Sequence, residues 1–288
     1  MTASTTLPRL PATLVGTTVG PHSEEIDARW LMAYAAALGE TDPRYYDTAT
    51  TAGPLAHPLF SVCYEWPVAM AIRDRALGSA VVARGVHATH HLVIHRPPRA
   101  GDRLSTTARV AAVERRRAGT LVLLKFETVD AECRPVTTTM HGSVYRGVET
   151  DGADSGSPGA PASEPGPVRW ETPVDVSAQA AHVYTECARI WNPIHTDVAV
   201  ARAAGLPAII LHGTATLALS LSKVVERDLG GEAGRVRAVT ARFAGMVLMP
   251  STFVVRGRAI RSGQLAFDAV DAAGRPVVAD GTVTFAEP

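Results

Sequence analysis

Apolar residues recur along the chain with two different periods, and each period appears in both halves. A spacing of three to four residues predicts two pairs of helices, and alternation of apolar and polar residues predicts two sets of strands. The predicted helices cover 26–38, 58–75, 176–190 and 214–229. The predicted strands cover 86–96, 103–115, 121–129, 136–146, 236–247, 252–260, 265–270 and 277–285. Helices followed by an antiparallel meander, twice, indicate an α+β fold.

The two halves also match in sequence, which indicates an internal duplication. At a constant offset Pro43 aligns with Pro193 and Asp47 with Asp197, and DAECRPV in the first half corresponds to DAAGRPV in the second. Residues 150–167 are rich in Gly, Pro, Ser and Ala and offer little apolar area to bury, so they predict a linker. We therefore predict an N-terminal repeat over 1–149 and a C-terminal repeat over 168–288.

Composition removes several classes of function. Lys plus Arg is 28 and Asp plus Glu is 28, so the formal net charge is zero. The chain therefore has no overall positive charge to bind the phosphates of a nucleic acid. No run of apolar residues is long enough for a membrane span. The chain has 3 cysteines without metal-ligand spacing, and its N-terminus lacks the apolar core of a secretory signal. These features predict a cytoplasmic protein.

Two stretches of the second half carry the most specific signal. They are RIWNPIHTD over 189–197 and AGLPAIILHG over 204–213. This combination resembles the MaoC-like (R)-specific enoyl-thioester hydratase and dehydratase family, whose pattern is Asp-x-Asn-Pro-aliphatic-His-x-Asp followed by a Gly-containing loop and a His-Gly pair. The resemblance covers both halves and implies a double hotdog, in which two helix-plus-sheet repeats form a pseudo-dimer.

The resemblance also implies roles for individual residues. His195 matches the family's acid/base histidine, and the Gly213 N–H matches the donor that polarises the thioester carbonyl. Asn192 is expected to contact substrate, while Pro193 and Asp197 are expected to fix the loop. For His212, substrate binding and a structural role both stay open.

The family's catalytic Asp corresponds to Ile190, which cannot exchange a proton. If the preceding helix continues to Ile190, Glu186 lies one turn earlier on the same face and offers a replacement carboxylate. Arg189 is a candidate contact for an acidic or phosphorylated ligand.

The first half lacks the acid/base histidine and the oxyanion donor, because Tyr45 replaces His195 and Pro58, which has no N–H, replaces Gly213. Glu40 takes the position where the family has its catalytic Asp. We predict that this half binds and shapes the acyl chain. The substrate carrier is coenzyme A or an acyl carrier protein, and no other cofactor is expected. A monomeric pseudo-dimer and a homodimer both stay open.

Four histidines lie close together in the first predicted strand of the first half. On a regular strand His87, His91 and His95 would share a face, yet four residues span about 13 Å, too far for one ion. No carboxylate or Cys accompanies them or His90, so we predict partly exposed sheet histidines and no metal site.

The combined pattern predicts a hydratase or dehydratase that interconverts 2-enoyl and (3R)-3-hydroxyacyl thioesters, a carbon–oxygen lyase of acyl-thioester metabolism. Two alternatives stay open: a non-catalytic protein that binds acyl thioesters, and a hotdog enzyme with another reaction such as thioester hydrolysis. A measurement of turnover distinguishes the hydratase from the non-catalytic binding protein. Identification of the product distinguishes it from a hotdog enzyme with another reaction.

Overall fold

The computed structural model describes residues 8–152, 166–261 and 263–287. Its helices are α1 Ala28–Ala37, α2 Ser61–Ala76, α3 Ser79–Val82, α4 Ala180–Ala188, α5 Val198–Ala203 and α6 Gly213–Asp228. Its strands are β1 Arg9–Leu10, β2 Thr18–Glu25, β3 Gly85–Ile94, β4 Arg103–Arg116, β5 Gly119–Val129, β6 Pro135–Arg146, β7 Glu149–Thr150, β8 Trp170–Val176, β9 Val236–Phe243, β10 Ser251–Arg261, β11 Gln264–Asp271 and β12 Pro276–Phe285. Short 3-10 helices cover Ala12–Leu14, Pro43–Tyr45, Pro193–His195 and Ala233–Arg235.

One continuous antiparallel sheet spans both halves. Its order is β2-β4-β5-β6-β3-β9-β12-β11-β10-β8, so the second half repeats the first in mirrored order about the β3–β9 seam. At the seam His90 of β3 lies opposite Ala241 of β9. A separate parallel pair joins β1 to β7. The predicted α+β double hotdog is confirmed.

Each half places one long helix against its part of the sheet. On α6 the spacing of Leu217, Leu221 and Val224 puts these side chains on one face, where they are fully buried together with Phe267 of β11. Burying one such aliphatic side chain contributes about 1.5–3 kcal/mol. The sequence period therefore fixes which side of α6 faces the sheet.

The shorter helices α1 and α4 meet where the two halves join. The hydroxyls of Tyr34 and Tyr184, which the sequence alignment pairs, lie 3.4 Å apart and are buried. Contact between equivalent residues is what a pseudo-twofold axis produces. The internal duplication is thus visible in the packing as well as in the sequence.

Sequence periodicity missed the strands that open each half. β2 and β8 form the two edges of the sheet; the side chains of β2 are mostly exposed and show no buried alternating face, while β8 alternates but fully buries only Val174 and Val176. As a consequence the predicted helices over 26–38 and 176–190 begin too early, and Val176 belongs to β8. β9 also ends at Phe243, four residues before the predicted end.

Most of the predicted linker over 150–167 lies outside the described residues. The predicted domain limits at 149 and 168 fall on either side of it. Within the described part of the chain, each helix is too short or too polar to cross a bilayer.

Candidate active site

A one-turn 3-10 helix presents His195. Pro193 lies at its first position, where the fixed φ of proline suits the helix. The N–H that proline lacks would form no helical hydrogen bond at this position. Before it, the side-chain oxygen of Asn192 accepts from the Ile194 N–H at 3.5 Å. Asn192 and Pro193 therefore shape the turn that carries the histidine.

Asp197 fixes the chain just after this turn. Its carboxylate accepts hydrogen bonds from the N–H groups of Ala199 at 2.8 Å and Val200 at 3.1 Å, at the start of α5. In the first half Asp47 accepts from two backbone N–H groups in the same way, at 2.8 and 3.2 Å. Both halves therefore keep the same contact between an Asp carboxylate and the backbone after the turn.

The imidazole of His195 is buried and held by one hydrogen bond. Its Nδ1–H donates to the carbonyl oxygen of Ile210 at 2.8 Å, which assigns the proton to Nδ1 and leaves a lone pair on Nε2. Burial lowers the pKa of His195 to about 4. The ring is therefore neutral near neutral pH, and its Nε2 is able to accept a proton.

His212 packs face to face against this ring. The two ring centroids are 3.7 Å apart, and the planes differ by 26°. The Nε2 of His212 lies 3.3 Å from the Thr185 hydroxyl, and burial holds the pKa of His212 well below its ordinary value. His212 is also the residue that precedes α6, so the stack places His195 beside the N-terminus of that helix.

The N-terminus of α6 supplies hydrogen-bond donors. The first helical bond is donated by the Thr216 N–H to the His212 carbonyl at 2.9 Å, so the three N–H groups starting with Gly213 are not used by the helix. Such groups, together with the helix dipole, favour a negative charge. A Cβ on residue 213 would lie 3.3 Å from the Phe243 ring, so glycine lets the backbone approach it.

Ile190, where the family pattern has a carboxylate, is part of the apolar core. It is 4% exposed and packs in the cluster shared by both halves. Glu186 was expected to replace the missing acid if its helix continues to Ile190. This premise is wrong, because α4 ends at Ala188 and Arg189 has φ 58°. Glu186 lies on the exposed side of α4.

Arg189, which follows α4, contacts residues at the start of α1. Its guanidinium carbon lies 4.0 Å from the ring centroid of Trp30, and Nη2 lies 3.7 Å from the Asp27 carboxylate. A cation–π contact of this kind contributes about 0.5–1 kcal/mol at a partly exposed site. The structure gives Arg189 these partners in the first half, and its contact with substrate stays a prediction.

The matching corner of the first half holds different chemistry. Tyr45 and His57 take the positions of the stacked pair, with centroids 6.4 Å apart. The Leu59 N–H donates to Nδ1 of His57 at 3.1 Å, so Nε2 carries the proton and faces the Ser222 hydroxyl at 3.3 Å. Ser222 donates to the Glu40 carboxylate at 2.5 Å. These bonds tie the halves together and leave His57 without a free lone pair.

A β-bulge rearranges the histidines of β3. The register against β6 shifts after His87, which makes Ala88 an extra residue. His87 and His90 consequently face the interior, whereas His91 and His95 are exposed. The prediction that His87, His91 and His95 share a face is wrong, because one added residue inverts the alternation.

His141 of β6 completes an interior group with His87 and His90, called the histidine cluster below. Their ring nitrogens lie within 4.8 Å of one another, a spacing that suits a metal ion. However, the rings of His87 and His141 stack 3.7 Å apart at 11°, so one ion cannot lie in both ring planes. Nη2 of the Arg73 guanidinium lies 3.2 Å from His141 Nε2 and would repel a cation. The geometry disfavours a metal here.

Sequence reasoning did not single out Arg73, His141 or Phe243. The ring of Phe243 contacts the position of Gly213 and lies 4.4 Å from the ring of His87. Their grouping depends on the pairing of β3 with β6 and with β9 and on the bulge in β3, which the alternation of residues along the chain does not reveal.

Models of known protein families match each half of the chain. The family model described as MaoC like domain matches residues 162–274, and the model described as FAS1-like, dehydratase domain region matches residues 13–139. Each half of the chain is therefore similar to a dehydratase domain.

Curated relatives agree with these matches. The chain is 28% identical over 266 residues to 3-hydroxyacyl-thioester dehydratase X of Mycobacterium tuberculosis, covering 87% of this chain and 84% of that protein. It is 32% identical over 120 residues to the enoyl-CoA hydratase ChsH3 of the same organism, covering 41% of each. It is 41% identical over 76 residues to the fatty acid synthase subunit beta of Aspergillus oryzae, 26% of this chain and 4% of that protein. The chain thus spans less than half the length of the latter two relatives.

A solved structure shows the same fold. A MaoC-like dehydratase from Phytophthora capsici superposes with a TM-score of 0.81 at 22% identity, covering 96% of this chain and 98% of that chain. A MaoC like domain is thus matched in the second half and a FAS1-like dehydratase region in the first, within a double-hotdog architecture like that of this solved structure.

Proposed function

We propose that this chain catalyses the reversible addition of water to a 2-enoyl thioester, which gives a (3R)-3-hydroxyacyl thioester carried by coenzyme A or an acyl carrier protein. The observation that carries the proposal is the neutral His195, with its Nε2 lone pair available, beside the unused N–H groups that begin at Gly213. Relatives named enoyl-CoA hydratase and 3-hydroxyacyl-thioester dehydratase support the reaction class.

The side chains present account for the whole proton balance. His195 Nε2 removes a proton from water as the water oxygen bonds to C3 of the substrate. The C2–C3 π electrons move onto the thioester oxygen, where the Gly213 N–H stabilises the enolate. The imidazolium then returns its proton to C2 as the enolate collapses. One H and one OH have been added, so the reaction requires no redox cofactor.

Burial makes His195 a weak base in the free protein and a better one in the transition state. Its pKa of about 4 reflects the cost of charging a buried ring. When negative charge develops on the thioester oxygen, the adjacent imidazolium and enolate stabilise each other in a medium of low dielectric constant. The helix N-terminus adds to this effect without needing to reorganise.

Ile190 favours a second candidate function, binding without turnover. With Ile190 in the core, His195 must act both as base and as acid, whereas the family pattern divides these tasks with a carboxylate. If the single histidine does not suffice, the chain binds acyl thioesters through the α6 N-terminus and releases them unchanged.

The test is an assay of purified protein with crotonyl and longer 2-enoyl coenzyme A, in which loss of the conjugated double bond is followed by absorbance. Chiral analysis of the product checks for the (3R) alcohol, and a thiol reagent checks for release of coenzyme A. Hydration without thiol release supports the proposal. Thiol release would assign thioester hydrolysis, and binding without either product would assign the non-catalytic role.

A further inference from the structure

A guanidinium that has no acidic partner in the described part of the chain lies inside the first half. Arg73 is half-buried on α2, and its Nε is buried without a hydrogen-bond partner among the described residues. Its other nitrogens face the Met70 sulfur at 3.9 Å and the His141 ring at 3.2 Å; the guanidinium also lies 5.5 Å from the Trp66 ring centroid and contacts the Tyr145 hydroxyl, all of them uncharged partners. A half-buried guanidinium with one buried donor unpaired and no carboxylate beside it favours an anion at this position.

The histidine cluster beside Arg73 is neutral. Burial lowers the pKa of His87 and His141 well below the ordinary value and lowers the pKa of His90 to about 4. His90 is 1% exposed, and neither of its ring nitrogens has a partner within residues 8–152, 166–261 and 263–287. Arg73 and His90 therefore each hold a buried donor that these residues leave unpaired.

The cluster lies next to the proposed active site. The Phe243 ring borders Gly213 on one side and the His87 ring on the other, and His87 stacks on His141, which contacts Arg73. Phe243, His87, His141 and Arg73 are all of intermediate exposure, so a ligand is able to reach them. A thioester held at Gly213 would therefore lie beside the Phe243 ring, whose other side borders the histidine cluster.

We propose that Arg73 and the histidine cluster bind a carboxylate at the far end of the acyl chain, so that the substrate class is enoyl thioesters of dicarboxylic acids. This inference rests on the proposed function for the position of the thioester. A guanidinium matches a carboxylate in charge and in fork geometry, and His90 adds an N–H donor.

The same residues disfavour a plain alkyl chain. A long aliphatic tail would cover Arg73 and His90 without offering an acceptor, and the unpaired donors would then lose their hydration. Selectivity therefore comes from both attraction to the acid and a penalty against its apolar analogue.

The test compares an enoyl coenzyme A whose chain ends in a carboxylate with the methyl ester of that carboxylate. We expect wild type to prefer the acid in kcat/KM, and Arg73→Met to lower kcat/KM for the acid by about 10- to 100-fold without lowering it for the ester, because the penalty against a chain end that lacks the acid is removed with the guanidinium. Arg73→Lys, which keeps the charge, should restore part of the preference. Arg75→Met removes an exposed arginine of the same helix and should change neither substrate.

Two controls distinguish binding of the acyl carboxylate from binding of the carrier and from a purely structural role of Arg73. Thioesters of N-acetylcysteamine lack phosphate, so an Arg73 effect confined to coenzyme A substrates would overturn the proposal and assign the anion to the carrier. Equal losses on acid and ester would also overturn it, because Arg73 would then only support the fold. Calorimetric titration with the saturated acid and ester thioesters measures the Arg73-dependent preference even if no turnover occurs, so failure of the proposed function remains distinguishable.

Discussion

Replacing Ile190 with Asp returns a carboxylate to the position where the family pattern has one. Ile190 is 4% exposed and follows directly after Arg189, at the end of the turn that leaves α4. A carboxyl group here would share with His195 the tasks of removing and returning a proton. We expect Ile190→Asp to raise kcat for enoyl hydration.

The structure also sets the cost of this change. Removing a buried Ile side chain forfeits about 1.5–3 kcal/mol of apolar burial. Desolvating the new carboxyl adds about 1–3 kcal/mol unless it finds a hydrogen bond. We therefore expect the free energy of unfolding to fall by about 3–5 kcal/mol. A domain whose free energy of unfolding is about 8 kcal/mol or more, within the ordinary range, remains folded after such a loss.

The gain in rate is bounded by what general acid–base catalysis supplies. A well-placed proton-transfer group contributes about 10²–10⁴-fold, and His195 already provides part of this. We expect kcat to rise by about tenfold to a hundredfold. A carboxylate near His195 would also raise its pKa above about 4, so the acid limb of the kcat/KM profile should move to higher pH.

Ile190→Asn is the matched control. Asn has the size and polarity of Asp but cannot exchange a proton, so it should carry a similar loss of stability without the gain in rate. Urea denaturation and the absorbance assay measure the two effects on the same samples. If Ile190→Asp is folded and no faster than Ile190→Asn, the reasoning that a missing acid limits turnover is refuted.

The α6 N-terminus, the bonds between the halves and the buried histidines each give one further prediction. Gly213→Pro removes the N–H but suits a first helical position, so kcat should fall by about 10²–10³-fold while the circular dichroism spectrum is unchanged. Gly213→Ala keeps the N–H and should lower kcat much less. Equal losses of kcat in the two variants would contradict the role of the Gly213 N–H in stabilising the enolate. Ser222→Ala leaves Glu40 and His57 without their shared partner, so thermal denaturation should show a loss of about 1–3 kcal/mol. Lys125→Ala, which removes an ion pair with Glu127 far from this contact, should cost at most about 0.5 kcal/mol. The pKa of buried histidines is lower in the folded chain than the ordinary 6.5, to about 4 for His195 and about 3 for His57, so the unfolded chain binds more protons. Their stabilisation is complete above pH 6.5 and is lost as pH falls toward 3. Glu40 and Glu65 have raised pKa values, so their contribution to stability grows as pH falls, but the buried histidines outnumber them. The urea midpoint should therefore decrease when the pH is lowered from 6.5 to 4, and an unchanged or higher midpoint would contradict this expectation.

The sequence was sufficient for elements that bury a periodic face. The helix over 214–229 was placed to within a residue of α6, because Leu217, Leu221 and Val224 recur on one side. It was insufficient for the edge strand β2, whose side chains are mostly exposed and therefore carry no alternating signal. Edge strands are recognisable from their hydrogen bonds to a neighbour, and those require the fold.

The candidate site shows the same division. The turn around His195 was predictable because Asn192, Pro193 and Asp197 act on backbone groups close in sequence. The cluster of His87 with His141 was not, because it depends on a bulge and on cross-strand register. Glu186 failed as a replacement carboxylate for a local reason, the early end of α4.

The most direct test of the central claim is hydration of crotonyl coenzyme A by wild type and by His195→Ala, with Glu186→Ala as the control on the exposed side of α4. Thermal denaturation establishes that all three proteins are folded. We predict turnover by wild type and Glu186→Ala, and a loss of about 10²-fold or more in His195→Ala. Undiminished turnover in a folded His195→Ala protein would contradict the assignment of His195 as the acid and base of the reaction.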